Sequence, residues 1–195
     1  MKEFFFRYRG WLFVPSAVIM LALAKPTMLS LIIGFLVSFL IGEGIRIWAV
    51  GFSGVTTRKS ELDAPILITA GPYAHLRNPL YLGNLISWIG FCIAAAGGAA
   101  LWAQIVIYVS VIASYLIIYG NIIPLEEQFL EKQFGEPFRE YLKNVPRMFP
   151  SLKAYNKQNG TWVPRVILVA ESQTIIMLLA VAALLILKYM HILNF

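Results

Sequence analysis

An arginine, an asparagine and a proline stand together at the start of a long apolar segment, and this arrangement could bind an anion. Asn78 is a favoured N-cap residue, and Pro79 is favoured at the first position of a helix. We therefore expect the Asn78 side chain to accept the backbone N–H of Leu80 or Tyr81. Because a helix start also carries unpaired N–H groups and the positive end of a dipole, Arg77 beside it makes this place a candidate carboxylate site as well.

Two consecutive glutamates form the second candidate site, on a helix predicted from Pro124 to Phe134 and ending at Gly135. Helical periodicity places Glu126 within the apolar face of this helix and Glu127 at its edge. A solvated face and a favourable charge near the helix start would account for Glu127. An unpaired carboxylate on the apolar side is costly, so Glu126 requires a cationic or hydroxyl partner from the protein or from a ligand.

Other charged residues lie close to apolar segments and allow two interpretations each. Arg147 stands among apolar neighbours, where it could contact lipid headgroups or hold a substrate carboxylate. Glu43 and Arg46 are three residues apart and share a helix face, so they are either functional or close enough to the membrane surface for Arg46 to reach water. Arg165 and Glu171, near the start of the last apolar segment, are interpreted in the same two ways.

Composition identifies an integral membrane protein. Of the 195 residues, 59% are hydrophobic and only 13% are charged, which is too apolar for an ordinary soluble domain of this length. The net charge of +6 comes from basic residues that flank apolar stretches, as membrane anchoring requires, so we expect no nucleic-acid partner. The single cysteine, Cys92, and the two distant histidines predict neither a disulfide nor a bound metal.

Apolar windows predict an all-α protein with about five transmembrane helices, cytoplasmic loops and short amphipathic helices; that these helices form a cofactor pocket is implied only by the resemblance given below. The windows are Trp11 to Ala24, Thr27 to Phe52, Leu80 to Ala96, Ala99 to Ile123, and a last one within Val163 to Tyr189. Counting Lys and Arg gives three at the N-terminus, three in the loop 53–78 and six in the segment 124–162, against Lys25 and Lys188 on the other side. The positive-inside rule then places the N-terminus and both long segments in the cytoplasm, in a bacterial inner membrane or the endoplasmic reticulum.

The chain is predicted to form one membrane domain with three parts. Residues 1–52 would form an N-terminal helix hairpin, residues 53–150 a core, and residues 151–195 a linker and a C-terminal transmembrane helix. The loop 53–78 is too long to be a plain connection, so its end is expected to fold back on the helices. A second short helix is predicted to start at Pro137, with its apolar side formed by Phe138, Tyr141 and Leu142.

Several short motifs within residues 66–150 occur in an order and spacing that resemble one superfamily, the isoprenylcysteine carboxyl methyltransferases and phospholipid methyltransferases. The motifs are Gly71-Pro72-Tyr73, Arg77-x-Pro79-x-Tyr81-x-Gly83, Glu126-Glu127, Phe134-Gly135, Tyr141, and Arg147 to Pro150. The resemblance implies a membrane-embedded methyltransferase that depends on S-adenosylmethionine, with the cofactor between the Arg-x-Pro helix start and the Glu-Glu helix. It implies these cofactor-pocket residues: Tyr73, Arg77, Tyr81, Gly83, Glu126 and Glu127.

Two positions depart from the pattern of that superfamily. Asn78 stands where a histidine is usual, and Phe138 stands where a tyrosine is frequent. Asn78 can still cap the helix and form hydrogen bonds, so we include it among the cofactor-binding residues, whereas any role of a titrating imidazole would be lost.

Methyl transfer from a sulfonium is an in-line displacement that needs alignment of donor and acceptor and exclusion of water. Glu126 and Glu127 would bind the ribose hydroxyls or the amino group of the cofactor, and Arg77 with the helix start would face its carboxylate. Arg147 or Arg46 would orient an acceptor carboxylate, whereas an amine acceptor would need a base, for which Glu127 is the candidate.

The expected substrate is a lipid-like or prenylated small molecule, most simply the carboxylate of an isoprenylcysteine-type compound, presented among membrane lipids. An aminophospholipid or a small thiol is the alternative acceptor. Two other functions stay open: an NADPH-dependent sterol-type membrane reductase, against which the Glu-Glu pair argues, and a non-enzymatic transporter or assembly factor. A transporter would place polar residues in the middle of the spans, whereas most polar residues here collect at one end.

Overall fold

Helices form all the regular structure in the computed structural model, which describes residues 2–54 and 64–193. The all-α class predicted from the sequence is therefore confirmed for this part of the chain. Residues 55–63 of the predicted long loop, with two of the basic residues counted above, lie outside the described residues. The α-helices are α1 Lys2–Tyr8, α2 Val14–Leu23, α3 Met28–Phe35, α4 Glu43–Ser53, α5 Pro79–Ala96, α6 Leu101–Phe134, α7 Glu136–Asn144 and α8 Ile167–Tyr189.

Within the described residues, four helical segments are long and apolar enough to cross a membrane, which is consistent with an integral membrane protein. A π-helical turn, Leu36–Gly42, joins α3 and α4 into one of them. The four segments are Met28–Ser53, Pro79–Ala96, Leu101–Phe134 and Pro164–Tyr189. The first of the five predicted spans is instead a shorter apolar helix, Trp11–Leu23, since at 1.5 Å per residue it falls short of a hydrocarbon layer of about 30 Å. The side of the membrane on which the chain ends lie stays a prediction.

The segment α3–α4 packs very closely on α5 through small residues, a feature that the sequence analysis missed. Gly34, Ser38 and Gly42 follow one another at intervals of four and face Ser87 and Gly90 of α5. The Ser38 hydroxyl donates to the Ser87 carbonyl at 2.8 Å, and the Ser87 hydroxyl donates back to the Ser38 carbonyl at 3.3 Å. Small residues let two helices in a membrane approach until dispersion forces and such hydrogen bonds act at short range. This small-residue contact joins the segment α3–α4 closely to α5.

The helix that carries the two glutamates is longer than predicted. Helix α6 runs without a break from Leu101 to Phe134 and contains Pro124, so the prediction that a separate helix begins at Pro124 was wrong. A proline removes one backbone hydrogen bond, and membrane helices tolerate it where neighbouring groups satisfy the freed backbone carbonyl. The predicted end is confirmed, since Gly135 has a φ of +60° and its N–H bonds to the Glu131 carbonyl at 2.9 Å.

Helix α7 and the chain after it cover the start of α5 and form a small second core. Phe138 and Tyr141 are buried there, as the apolar spacing predicts, together with Ala74, Val145 and Tyr155. Backbone hydrogen bonds join the two segments: the Arg77 N–H donates to the Pro146 carbonyl at 2.9 Å, and the Tyr155 N–H donates to the Ala74 carbonyl at 2.8 Å. The chain before α5 thus folds back on the protein, as expected of so long a loop.

We expect Gly42→Ala to destabilise the small-residue contact. A Cβ at Gly42 would lie 2.7 Å from the Ser87 backbone nitrogen, and such overpacking costs about 1–3 kcal/mol. Gly44→Ala is the matched control, because a Cβ there meets nothing within 4 Å and alanine favours a helix by up to about 1 kcal/mol over glycine. Thermal unfolding in detergent should show a lower Tm for Gly42→Ala and an unchanged or higher one for Gly44→Ala. Equal shifts would contradict the contact.

Candidate functional site

A cavity of about 700 Å³ opens between the start of α5, the last part of α6, α1, α4 and α8. This volume lies within the usual range for ligand and cofactor pockets, roughly 300–1,000 Å³. Most residues proposed from the sequence line it: Arg46, Tyr73, Arg77, Asn78, Tyr81, Glu126 and Glu127. Arg147 and Gly83 are not among the lining residues. The cavity is therefore the candidate site of the predicted chemistry.

Glu126 points into this cavity and has a hydroxyl partner, as its position on the apolar face of the helix predicts. The Tyr81 hydroxyl donates to Glu126 Oε1 at 2.5 Å. The Tyr81 ring lies against the Tyr119 ring, with 4.4 Å between their centroids, and the Asn84 amide donates to the Tyr119 hydroxyl at 2.7 Å. Tyr81 and Asn84 are three residues apart on α5, so one face of that helix carries a polar row along the cavity wall.

Glu127 faces away from that row and is held by two arginines. Arg77 reaches Glu127 Oε1 through Nε and Nη2, both at 3.0 Å, and its Nη1 donates to the carbonyls of Leu142 and Val145 at 2.9 and 2.7 Å. Arg147 bonds the same carboxylate through Nε at 3.2 Å and through Nη2. The Glu127 carboxylate is thus engaged with guanidinium groups, which suits a structural counter-ion better than a base. Arg77 is likewise committed to the protein rather than directed at a ligand carboxylate.

Asn78 occupies the N-cap position of α5, yet its side chain does not cap the helix. The prediction that it accepts the N–H of Leu80 or Tyr81 was wrong. The side-chain amide donates instead to the Arg147 carbonyl at 3.0 Å, because the chain after α7 is held close by the Arg77 to Pro146 backbone bond. The Asn78 backbone carbonyl accepts the N–H groups of Tyr81 and Leu82. The helix start therefore has fewer free N–H groups for binding an anion than the sequence predicts.

Arg46 lies at the far side of the cavity in a cluster with two glutamates. Its Nη2 bonds both oxygens of Glu171 at 2.8 and 2.7 Å and the Thr174 hydroxyl at 3.2 Å. Its Nη1 donates to the Asn84 amide oxygen at 2.5 Å, and Glu43 Oε2 lies 3.4 Å from its Nε. An arginine with these partners is poorly placed to bind an acceptor carboxylate directly. It is better placed to hold the neighbouring side chains in position. Sequence spacing could not reveal the pairing with Glu171, which is 125 residues away.

Gly83 lies at the contact between α5 and the segment α3–α4, away from the cavity where the resemblance would place it. A Cβ on Gly83 would lie 2.6 Å from Arg46 Cγ and 2.8 Å from the Gly42 carbonyl oxygen. The glycine is therefore needed for close helix packing. Its effect on the cavity is indirect, since it lets Arg46 approach α5.

Tyr73 and Tyr141 form a neutral part of the site next to the start of α5. Burial raises the pKa of Tyr73 well above its ordinary value, and its hydroxyl bonds the Ser53 side chain. Burial also raises the pKa of Tyr141, whose hydroxyl donates to the Tyr73 carbonyl at 2.7 Å. Both phenols therefore stay protonated, and both rings offer aromatic surface to a ligand in the cavity.

The N-terminal helix contributes residues that sequence reasoning missed. Phe6, Arg7 and Arg9 line the cavity, and the Arg9 guanidinium lies 4.5 Å from the centroid of the Phe6 ring. The sequence signal was a basic N-terminus, which we interpreted only as membrane anchoring. The structure adds these two cations to the residues that line the cavity.

Arg77→Ala should destabilise the protein far more than Arg147→Ala, although both contact Glu127. The Arg77 side chain is 13% exposed and that of Arg147 is 50% exposed. Breaking a buried pair costs about 3–5 kcal/mol, whereas exposed pairs contribute about 1 kcal/mol or less. Thermal unfolding of both variants in the same detergent measures the difference. A Tm drop of equal size in the two variants would refute the assignment of Arg77 as a buried structural arginine.

Comparison with known proteins gives one family and three relatives. A family described as "Protein of unknown function (DUF1295)" matches residues 11–145. The cobalt-zinc-cadmium resistance protein CzcN of Cupriavidus metallidurans is 30% identical over 121 residues, which are 62% of this chain and 49% of that protein. The nickel-cobalt-cadmium resistance protein NccN of Alcaligenes xylosoxydans xylosoxydans is 26% identical over 114 residues, 58% of this chain and 47% of that protein.

The third relative carries an enzyme name. The protein-S-isoprenylcysteine O-methyltransferase of Schizosaccharomyces pombe is 31% identical over 102 residues, 51% of this chain and 39% of that protein. The chain thus spans half or less of the length of each of these relatives. No solved structure matches it. Because the family match covers well over half of the 195 residues, the chain belongs to the DUF1295 family.

Proposed function

We propose that the protein is a membrane methyltransferase that takes its methyl group from S-adenosylmethionine and transfers it to a lipid-like acceptor. The observation that carries the proposal is Glu126, a carboxylate in a cavity that is also lined by the rings of Tyr73, Tyr81 and Tyr119. A carboxylate and aromatic faces suit a ligand that carries positive charge and hydroxyl groups. The partial identity with an isoprenylcysteine O-methyltransferase supports the same chemistry.

The cavity residues fit such a cofactor, with one change from the sequence prediction. Tyr81 bonds Oε1 of Glu126, so Oε2 is the atom that would accept ribose hydroxyls or the amino group. Tyr73, Tyr81 and Tyr119 supply aromatic surface. Arg77 is bound to Glu127, and Arg7 and Arg9 also line the cavity, so these two are the cations proposed to face the cofactor carboxylate. When bound, S-adenosylmethionine would supply an electrophilic methyl group on a positively charged sulfur.

A carboxylate, as on an isoprenylcysteine-type compound, is the methyl acceptor that requires the least chemistry from these residues. It is already an anion, so the chain has only to align it and keep water out. An amine acceptor would need a base, and the contacts favour Glu126 over Glu127 for that task. Glu126 is bonded to a neutral hydroxyl, whereas Glu127 is held by two guanidinium groups.

Glu126→Gln should weaken the binding of S-adenosylmethionine by roughly 10- to 100-fold, because it removes an anionic acceptor whose hydrogen bonds contribute about 1.5–3 kcal/mol. Glu136→Gln is the matched control, since that side chain is 72% exposed and lies outside the cavity. Isothermal titration calorimetry in detergent measures both. The proposal fails if Glu126→Gln binds as tightly as the unchanged protein, or if the control weakens equally.

Titration with S-adenosylmethionine and with NADPH separates a methyltransferase from a reductase. Arg7 and Arg9 line the cavity and could also bind phosphate groups, so the second titration is a true alternative. We expect S-adenosylmethionine to bind and NADPH not to bind, followed by transfer of labelled methyl to a prenyl thioether carboxylic acid. Binding of NADPH alone would favour the reductase, and binding of neither would favour a non-enzymatic function.

A further inference from the structure

Asn84 of α5 joins the Arg46 cluster to the tyrosines of the cavity. Its amide oxygen accepts from Arg46 Nη1 at 2.5 Å, and its amide nitrogen donates to the Tyr119 hydroxyl at 2.7 Å. A guanidinium carries only donors, so the atom of Asn84 that faces Arg46 must be the amide oxygen. The amide nitrogen is thereby turned toward Tyr119. The Tyr119 hydroxyl oxygen is therefore the acceptor at this contact.

The Tyr119 hydroxyl keeps its own proton for another partner. A phenol has one O–H donor besides the lone pairs with which it accepts. No group within residues 2–54 and 64–193 accepts a hydrogen bond from this hydroxyl. Tyr119 is only 6% exposed, and it lines the large cavity. Because a buried donor without an acceptor costs free energy, a ligand atom in the cavity that accepts this proton is favoured.

Aromatic packing fixes the position of the Tyr119 ring. Its centroid lies 4.4, 4.7 and 5.8 Å from the ring centroids of Tyr81, Tyr115 and Phe13. With the ring packed and the hydroxyl oxygen held by Asn84, the O–H group can only turn about its C–O bond. The donor is therefore in place before a ligand arrives, which is the condition under which a hydrogen bond contributes most to binding.

The Tyr119 hydroxyl lies between the two ends of the cavity. On one side, the ring of Tyr119 packs against Tyr81, whose hydroxyl bonds Glu126, the residue proposed to bind the cofactor. On the other side, Asn84 connects the hydroxyl to Arg46, whose charge is engaged by Glu171. A methyl acceptor must lie next to the cofactor and in line with it. The donor is thus beside the space in which the acceptor would lie.

We propose that Tyr119 binds the methyl acceptor by donating its hydroxyl proton to one oxygen of the acceptor carboxylate, and that Arg46 and Asn84 are the positioning residues. This inference rests on the proposed function and assigns the role predicted from the sequence for Arg147 or Arg46. Arg46 polarises the Asn84 amide, which polarises the phenol in turn, so the O–H is a stronger donor than an isolated one. The second carboxylate oxygen forms the bond to the methyl carbon, the carbon–sulfur bond breaks, and its electron pair stays on sulfur. Tyr119 keeps its proton throughout.

Tyr119→Phe tests the donor, because it removes the hydroxyl and keeps the packed ring. The probe is a prenyl thioether carboxylic acid labelled with carbon-13 at its carboxylate, added to the detergent-purified full chain. We expect calorimetry to show acid binding weakened by roughly tenfold, the effect of one lost hydrogen bond to a charged group. The infrared band of the bound labelled carboxylate should also shift. Tyr115→Phe is the matched control, since it removes a hydroxyl one helical turn earlier that donates to the Tyr81 backbone carbonyl and does not line the cavity.

Asn84→Asp tests the orientation of the donor without changing the size of the side chain. A carboxylate only accepts hydrogen bonds, so the Tyr119 O–H would turn to the new carboxylate and away from the ligand. We expect weaker acid binding in the otherwise unchanged protein and no further loss in the Tyr119→Phe background. An equal loss in both backgrounds would show direct repulsion of the acid and would overturn the role of Asn84. Tyr119→Phe decides the donor by itself if Asn84→Asp does not fold.

Calorimetry with S-adenosylmethionine on the same samples separates this inference from the proposed function. Unchanged acid binding in Tyr119→Phe, no binding of the acid to the unchanged protein, or a loss of cofactor affinity alone would each overturn the assignment of Tyr119 to the acceptor. Cofactor binding by the unchanged protein would still keep the methyltransferase proposal in those cases. Acid binding that depends on Tyr119, without any cofactor binding, would keep a carboxylate site and overturn the methyltransferase proposal.

Discussion

The geometry of the cavity depends on the Arg77–Glu127 ion pair. Arg77 stands just before α5, Glu127 belongs to α6, and the same guanidinium holds two carbonyls at the end of α7 and just after it. Three elements that are distant in sequence are therefore fixed to one planar group, which presents several donors in a rigid arrangement. Because this pair is largely buried, the three elements cannot separate without leaving a charge unpaired in an apolar region. The opening between α5 and α6 is set by this constraint.

A second ionic cluster fixes the other side of the cavity. Arg46 joins α4 to Asn84 of α5 and to Glu171 of α8. Between the two clusters, the small-residue contact holds α3–α4 on α5 at a distance that does not adapt. The α4–α5 unit thus forms one wall of the cavity, and α8 is attached through Glu171 and through the buried Leu178, Val181 and Leu185.

The sequence correctly predicted the features that are determined by residues close together in the chain. Apolar windows located the long helices, Gly135 marked the end of α6, and periodicity turned Glu126 inward, because each of these follows from residues within one or two turns. The failures concern contacts between distant segments. Asn78 is a residue type favoured at the N-cap, yet its side-chain amide donates to the Arg147 carbonyl, 69 residues away in sequence. Gly83 belongs to a motif, yet its place is set by Gly42 and Arg46 on another helix. The partner of Arg46 likewise could not be read from any local pattern.

The two adjacent glutamates illustrate why a motif does not assign one role to all its members. Consecutive residues on a helix point about 100° apart, so Glu126 and Glu127 meet different surroundings despite identical chemistry. Glu127 reaches the arginines that assemble the site, and Glu126 reaches the Tyr81 hydroxyl on the cavity wall. The ion pair that engages Glu127 fixes the rotation of α6 about its own axis at this point. That rotation directs Glu126 toward the cavity, so the contacts of Glu127 determine where Glu126 points.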